Sequence, residues 1–228
     1  WFEAVIGYLS AAKEWAQRRG EPERWRDFWQ DPRCKAYYFI GKDNIPFHSI
    51  IWPAILTGYG GLNLPYDVPA NEFLTLESQK FSTSQSWAVW LPDFLERYAP
   101  DQLRYCLSAS MPETSDADFS WKEFLRRNND ELVATYGNLV HRVLTFTHRN
   151  FQGRIPDPGA LDGPSRQLLA RAQAALDAVD RGLHGCHFRL AIQEAMALAQ
   201  EANRYVDARA PWKTLAQDRA GTATSLWV

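Results

Sequence analysis

The chain has 228 residues, 46% of them hydrophobic, with ten Trp and a formal net charge of -2. That length allows one large domain or two modest ones, and the near-neutral charge excludes a global basic field, so any RNA contact must come from local patches and stacking. Three isolated cysteines (Cys34, Cys106 and Cys186) argue against a disulfide framework and fit a reducing, cytoplasmic setting, and no signal peptide or membrane-spanning run is present.

The sequence opens without an initiator Met and inside an apolar run, which suggests a fragment. Residues 1–18 carry a helical apolar stripe of Phe2, Val5, Ile6, Leu9, Ala12 and Ala16. A short Trp-rich element with Trp25, Phe28 and Trp29 follows within residues 20–32. Residues 36–40 form a continuous apolar run that predicts a strand buried on both faces, ending in Gly41-Lys42-Asp43. Residues 47–56 read as the next helix. Residues 71–77 read as a strand that runs straight into Ser78-Gln79-Lys80-Phe81-Ser82-Thr83-Ser84, an exposed loop with one cation and several hydroxyls. Strand, tight loop, helix and strand make the βαβ pattern of a doubly wound sheet, in which ligands bind beyond the carboxyl ends of strands. Asp43, His48 and Lys80 all fall at or just after such ends. From Asp118 onward strand signals vanish. Helical periodicity runs over about 121–151, then, past a Pro/Gly-rich connector at 153–159, over about 165–183 and 188–208, with Pro211 opening a further helix at its favoured first position.

Several groups could carry chemistry. A lysine among hydroxyls, as at Lys80, Ser82 and Thr83, suits an anion that comes and goes, such as a triphosphate. Gly41 lets a ligand approach the backbone, and Asp43 could accept hydrogen bonds from ribose hydroxyls, although Gly-Lys-Asp alone reads as a turn. His48 opens a helix and, taken alone, reads as a core histidine. Trp1, Ala4 and Tyr8 lie at helical spacing and can share one face, whose plain reading is an aromatic core stripe. Asn138 and Arg142 are one turn apart, roughly 6 Å along a helix axis. They project away from the Leu132, Tyr136, Leu139, Val143 stripe, and Arg149 continues the polar side, which alone reads as a solvated face. An amide and a guanidinium beside a stacking ring such as Trp212 are what the reading of RNA loops uses. His184-Gly185-Cys186-His187 imitates a metal cluster but falls in a helix–helix connection without a partner Cys pair.

The pentad at residues 80–84 resembles the mobile ATP-handling loop, usually written KMSKS, of the class I aminoacyl-tRNA synthetases. Trp1-Phe2-Glu3-Ala4-Val5-Ile6-Gly7-Tyr8, the 39–49 stretch from Phe39-Ile40-Gly41 to Phe47-His48-Ser49, and Ala202-Asn203-Arg204-Tyr205-Val206-Asp207 with Ala210-Pro211-Trp212 occur in that order. With them, nearly the whole chain resembles the second half of the methionyl-tRNA synthetases. The resemblance implies an α/β plus all-α fold. Residues 1-84 would be the second half of a Rossmann-like catalytic domain, 85-117 a connecting region, and 118-228 an α-helical anticodon-binding bundle that lacks its last helices. It implies ATP-dependent activation of methionine to methionyl-adenylate, with ATP (and Mg2+) as substrate, and transfer to tRNA(Met). Lys80, Ser82 and Thr83 would act in catalysis, with Lys80 also beside Gly41 and Asp43 on ATP or the adenylate. Trp1, Ala4, Tyr8 and His48 would line the methionine pocket, where aromatic walls suit a thioether. Asn138, Arg142 and Trp212 would read the CAU anticodon. The family's zinc knuckle lies upstream, so no zinc site is expected here, and no His-x-Gly-His string appears, so the chain alone would be inactive without its N-terminal half. Departures are Thr83 for the loop's second lysine, Gln85 for a following Arg, Val5 for a Pro and Asn44 for an aliphatic residue. Alternatives are a sibling synthetase for Leu, Ile, Val or Cys, a non-catalytic RNA-binding module, and a structural helical scaffold.

Overall fold

A computed structural model describes residues 3–228, so the expectations placed on Trp1 and Phe2 lie outside the described residues. The chain divides into two compact units, Trp1–Leu74 with Pro112–Ala117, and Thr75–Met111 with Asp118–Val228.

In the first unit, a short 3-10 turn, Ala4–Ile6, leads into α1 (Gly7–Arg18), and α2 (Arg26–Trp29) carries the Trp-rich element. The predicted stripe holds at Val5 and Ala16, which are buried, whereas Ile6 faces outward. β1 (Ile40–Gly41) pairs in parallel with β2 (Ala70–Asn71), Ile40 opposite Ala70 and Gly41 opposite Asn71. Between them run a π-helical turn, Phe47–Ile51, and α3 (Trp52–Tyr59), which completes the expected βαβ crossover. The core is Val5, Tyr38, Trp52 and Leu56. Trp52 Nε1 donates to the Tyr38 hydroxyl at 2.9 Å, which satisfies both polar groups inside an apolar cluster.

Two strand expectations need correction. The run at 36–40 is not buried on both faces. Tyr38 points into the core while Phe39 is 54% exposed, because only one face of this short pair lies on α1 and α3. Residues 71–77 are not one strand. They break at Glu72 and Phe73, whose N–H groups donate to the Pro112 carbonyl at 2.8 Å and the Asp116 carboxylate at 2.9 Å.

A small sheet in the order β4-β3-β5 is formed by β3 (Leu74–Leu76), β4 (Gln79–Lys80) and β5 (Ala117–Phe119), all of it but Leu74 and Ala117 in the second unit. Strand character thus extends just past Asp118. An aromatic cluster backs the sheet. Phe94 and Tyr98 of the segment around α4 (Leu91–Leu95) meet Phe124 of α6 (Trp121–Arg126) at 5.4 and 5.3 Å between ring centroids. α5 (Pro100–Ala109) starts at its proline, with the Gln102 side chain accepting the Ala99 N–H at 3.1 Å. Ser120 caps α6 by accepting the Glu123 N–H at 3.2 Å.

The bundle follows as expected. After α6 the helix widens into a π-helical stretch, Arg127–Gly137, and continues as α7 (Asn138–Asn150). α8 (Gly163–His184) and α9 (Phe188–Arg209) form a long helical hairpin. Small residues make their close approach possible, since a Cβ on Gly182 would meet the Ala191 Cβ at 3.2 Å. Arg171 ties the pair by bonding both Glu194 and Glu201 at 3.0 Å. Beyond α10 (Pro211–Thr214), Asp218 caps a further helix, α11 (Arg219–Trp227), by accepting the Gly221 N–H at 2.8 Å.

Candidate functional site

Three places hold most of the described residues singled out from sequence, one in the first unit and two in the second, with Gly41 and Asp43 apart from them. In the first, a cavity of about 270 Å³ is lined by Ala4, Val5, Tyr8, Phe39, Ile40, Asn44, Phe47 and His48. Ala4 and Tyr8 reach it from one helical face, as their spacing predicts, and His48 reaches it from the π-helical turn, a local irregularity that often marks functional sites. The Tyr8 hydroxyl and His48 Nε2 are 2.8 Å apart, and His48 Nδ1 is 2.9 Å from the Asn44 carbonyl. A carbonyl only accepts, so Nδ1 carries the proton and Nε2 accepts from Tyr8. Both ring nitrogens are therefore engaged, and His48, 5% exposed, presents carbon to the cavity. Tyr8 packs edge-on against Tyr38 with centroids 5.2 Å apart. Burial pushes the Tyr38 phenol up despite the hydrogen bond from Trp52. Val5 and Asn44, two of the departures noted from sequence, are both in the lining. Phe39, Ile40 and Phe47 complete it.

Gly41 has an ordinary extended backbone (φ -82°, ψ 153°), and a Cβ there would meet no heavy atom within 4 Å. Neither conformation nor protein packing demands glycine, so open space for an approaching group is the remaining physical reason for it. Asp43 is exposed. Between them Lys42 is spoken for. Its ammonium bonds Glu72 and Asp116 and lies over the Phe73 ring at 4.2 Å, and the Glu72 contact is the main cause raising its pKa.

The second unit carries Lys80 on a hairpin. Glu77 (φ 49°) and Ser78 (φ 63°) both adopt the left-handed conformation that a two-residue hairpin turn needs, and Thr75 stands opposite Lys80. Lys80 therefore sits in a strand rather than in an open loop. Beyond it Ser82 and Trp87 exchange both backbone hydrogen bonds, at 2.9 and 2.8 Å, closing a small loop around Thr83. The Asp118 carboxylate braces the hairpin by accepting from the Thr75 hydroxyl at 2.5 Å and the Ser78 N–H at 2.7 Å. Asp118→Ala removes the acceptor for the exposed Ser78 amide, a loss of about 0.5–1.5 kcal/mol to local order. Faster amide exchange at Gln79 and Lys80, with the bundle amides unchanged, is the expected result.

The third place is on the bundle. Arg142 lies over the Trp212 ring, guanidinium carbon to centroid 4.8 Å, and pairs with Asp207 at 2.5 Å. Trp212 is 46% exposed, so the pair presents a charged and aromatic surface to solvent. Asn138 is exposed one turn before Arg142, and Arg149 is exposed further along α7. Sequence periodicity did not single out Asp207, although its position five residues before Trp212 was within the quoted motif. Ala210, at φ 41° and ψ 59°, turns the chain between α9 and α10 in a left-handed conformation that costs a residue with a Cβ roughly 1–2 kcal/mol. His184-Gly185-Cys186-His187 is the turn between α8 and α9, and no group of three or more His, Cys, Asp or Glu able to hold a metal ion occurs among the described residues. No helix among them is long and apolar enough to cross a membrane.

Residues 1–144 match the family model described as tRNA synthetases class I (M). The chain is 58% identical over 229 residues to the methionine–tRNA ligase of Thermomicrobium roseum, covering 100% of this chain and 39% of the relative. It is 61% identical over 228 residues to that of Dehalococcoides mccartyi, covering 100% of this chain and 41% of the relative. It thus spans about two fifths of the length of these curated relatives. Among solved structures, Mycobacterium tuberculosis methionyl-tRNA synthetase in complex with methionyl-adenylate superposes with a TM-score of 0.85 at 30% identity, over 98% of this chain and 43% of that one. The chain belongs to the class I tRNA synthetases of the methionyl (M) family.

Proposed function

We propose that this chain is the later part of a methionine–tRNA ligase. It would activate methionine with ATP to methionyl-adenylate, pass it to tRNA(Met) and read the CAU anticodon, working in the cytoplasm together with an N-terminal half. By role, residues 1-84 would complete the catalytic domain, 85-117 connect it, and 118-228 bind the anticodon. The observation that carries the reading is the Arg142 guanidinium over the half-exposed Trp212 ring, drawn from helices 70 positions apart in sequence (212 − 142). A half-exposed ring suits stacking by an unstacked RNA base, with Asn138 and Arg142 supplying hydrogen bonds to it.

In the cavity of the first unit, Ala4, Tyr8 and His48 would hold the methionine side chain, with Trp1 assigned to the same role from sequence. The carbon-rich lining suits a thioether, since the polar atoms of His48 are already satisfied. Gly41 and Asp43 would take the adenosine, for which Gly41 leaves space and Asp43 an exposed carboxylate. Lys80, Ser82 and Thr83 would handle the phosphates of ATP, delivered with Mg2+. Adenylyl transfer needs positioning and charge neutralisation more than covalent help from the protein. No zinc ligand is assigned in this chain.

The test is titration of the purified chain with tRNA(Met) and with the same tRNA carrying an altered anticodon. Tighter binding to the CAU form is expected, and Trp212→Ala should weaken it by ~1–3 kcal/mol while leaving the fold intact. Equal binding to both tRNAs would remove the anticodon-reading role.

A further inference from the structure

Trp212 leaves the α9–α10 corner through Ala210, whose left-handed backbone is disfavoured for any residue with a Cβ. Such a conformation persists only where its surroundings over-determine it. Here a clamp sits immediately before it. The Arg209 guanidinium bonds both oxygens of Asp162 and, at 3.2 Å, the Ser165 hydroxyl, and its central carbon lies 5.0 Å from the centroid of the Tyr205 ring. The Tyr205 hydroxyl bonds the Ser165 hydroxyl at 2.8 Å, so both ends of the long helical hairpin enter one polar cluster. Arg209 and then Ser165 hold the Asp162 carboxyl well below the usual carboxylate range, as a formed ion pair requires. On the far side of Ala210, Pro211 is buried and Thr214 bonds Thr222 at 2.9 Å. Backbone direction is thus fixed on both sides of the residue that aims Trp212 at Arg142.

We propose that Asp162 and Arg209 are positioning residues for RNA recognition. They would set the aim of Trp212 and so the affinity for a splayed base without touching the RNA. The proposal rests on Trp212 being the stacking platform. Fixing a platform in advance removes the ordering cost from binding. Charge-assisted hydrogen bonds do so strongly, and here one Arg209 nitrogen reaches both Asp162 oxygens and the Ser165 hydroxyl.

Asp162 also caps α8 by accepting the Ser165 N–H at 3.0 Å, and asparagine caps as well as aspartate does. Asp162→Asn therefore removes the charge from the clamp and leaves the α8 cap in place. Arg209→Met breaks the same pair from the other side and keeps an apolar stem on Tyr205. The probe is an RNA stem-loop with a CAU loop, titrated by fluorescence anisotropy beside a stem-loop of altered sequence. Asp162→Asn and Arg209→Met should each lose about fivefold in affinity for the CAU loop, a fraction of the loss expected for Trp212→Ala. Binding of the altered loop should barely change. In the Trp212→Ala background, neither substitution should have a further effect, because coupled residues are not additive. Independent losses in the two backgrounds, or unchanged affinity in both clamp variants, would overturn the positioning role. Unchanged CAU affinity in Trp212→Ala alone would instead overturn the stacking reading, and the clamp proposal with it.

Discussion

Trp52→Ala is expected to cost the first unit about 3–5 kcal/mol, the range for removing a large buried aromatic side chain. Trp52 is 1% exposed and is the largest member of a core whose other buried residues are Val5, Tyr38 and Leu56. Truncation leaves a cavity that so small a core has few neighbours to fill, and it strips the Tyr38 hydroxyl of the indole N–H it accepts from. Tyr38 in turn touches Tyr8 edge-on and His48 at 5.8 Å between ring centroids, so the wall of the nearby cavity loosens with the core. Chemical denaturation followed by probes in each unit measures this. The transition of the first unit should shift strongly and that of the second should stay put. Trp52→Phe, which refills most of the volume, should recover well over half of the loss. An unshifted first-unit transition in Trp52→Ala would mean that this cluster does not hold the unit together.

The second large effect is chemical. In the methionine–tRNA ligase proposed above, Lys80→Ala should lower methionine-dependent exchange of pyrophosphate into ATP by about 10²–10³, the usual cost of deleting one positioned group that meets transition-state charge. Lys80 is exposed on the outer strand of its hairpin, and its ammonium makes no hydrogen bond or ion pair among the described residues. Its charge is therefore available to a phosphate, and its removal should leave stability within about 0.5 kcal/mol. Lys80→Arg should retain part of the rate. Thr83→Lys, which restores the loop's second cation, should raise apparent affinity for ATP. Exchange at the parental rate in Lys80→Ala would exclude the assignment.

The long helices were legible because α8, α9 and the α6-to-α7 run repeat their apolar positions over many turns. Strands of two or three residues are too short to show alternation. Residues 71–77 have the composition of one strand, but their break is imposed by Pro112 and Asp116, some forty residues on, and leaves no local mark. α5 could have been found from Pro100 with Gln102 two residues later, a readable start signal. α11 is short, but Asp218 capping the Gly221 amide was a local signal for it. In the cavity, the Ala4 and Tyr8 spacing placed two wall residues, whereas Phe39, just before the two-residue β1, carried no local sign of facing it. Arg142 and Trp212 have no periodic relationship. The family resemblance brought them together, and the ring geometry now gives that pairing a physical content. Asp162 and Arg209 gave no signal at all, since each alone reads as a solvated charge.

The division of the chain has a consequence for synthesis. The first unit needs residues 112–117, which arrive only after the whole 75–111 segment of the other unit has been made. Until then Lys42 lacks Asp116, and the Glu72 and Phe73 amides lack their acceptors. A nascent chain paused before Pro112 would therefore carry an unsealed first unit with exposed edges, a state open to proteases and to mispairing. Its closure should come as a late step, paced by how fast the intervening segment leaves the ribosome rather than by the core around Trp52.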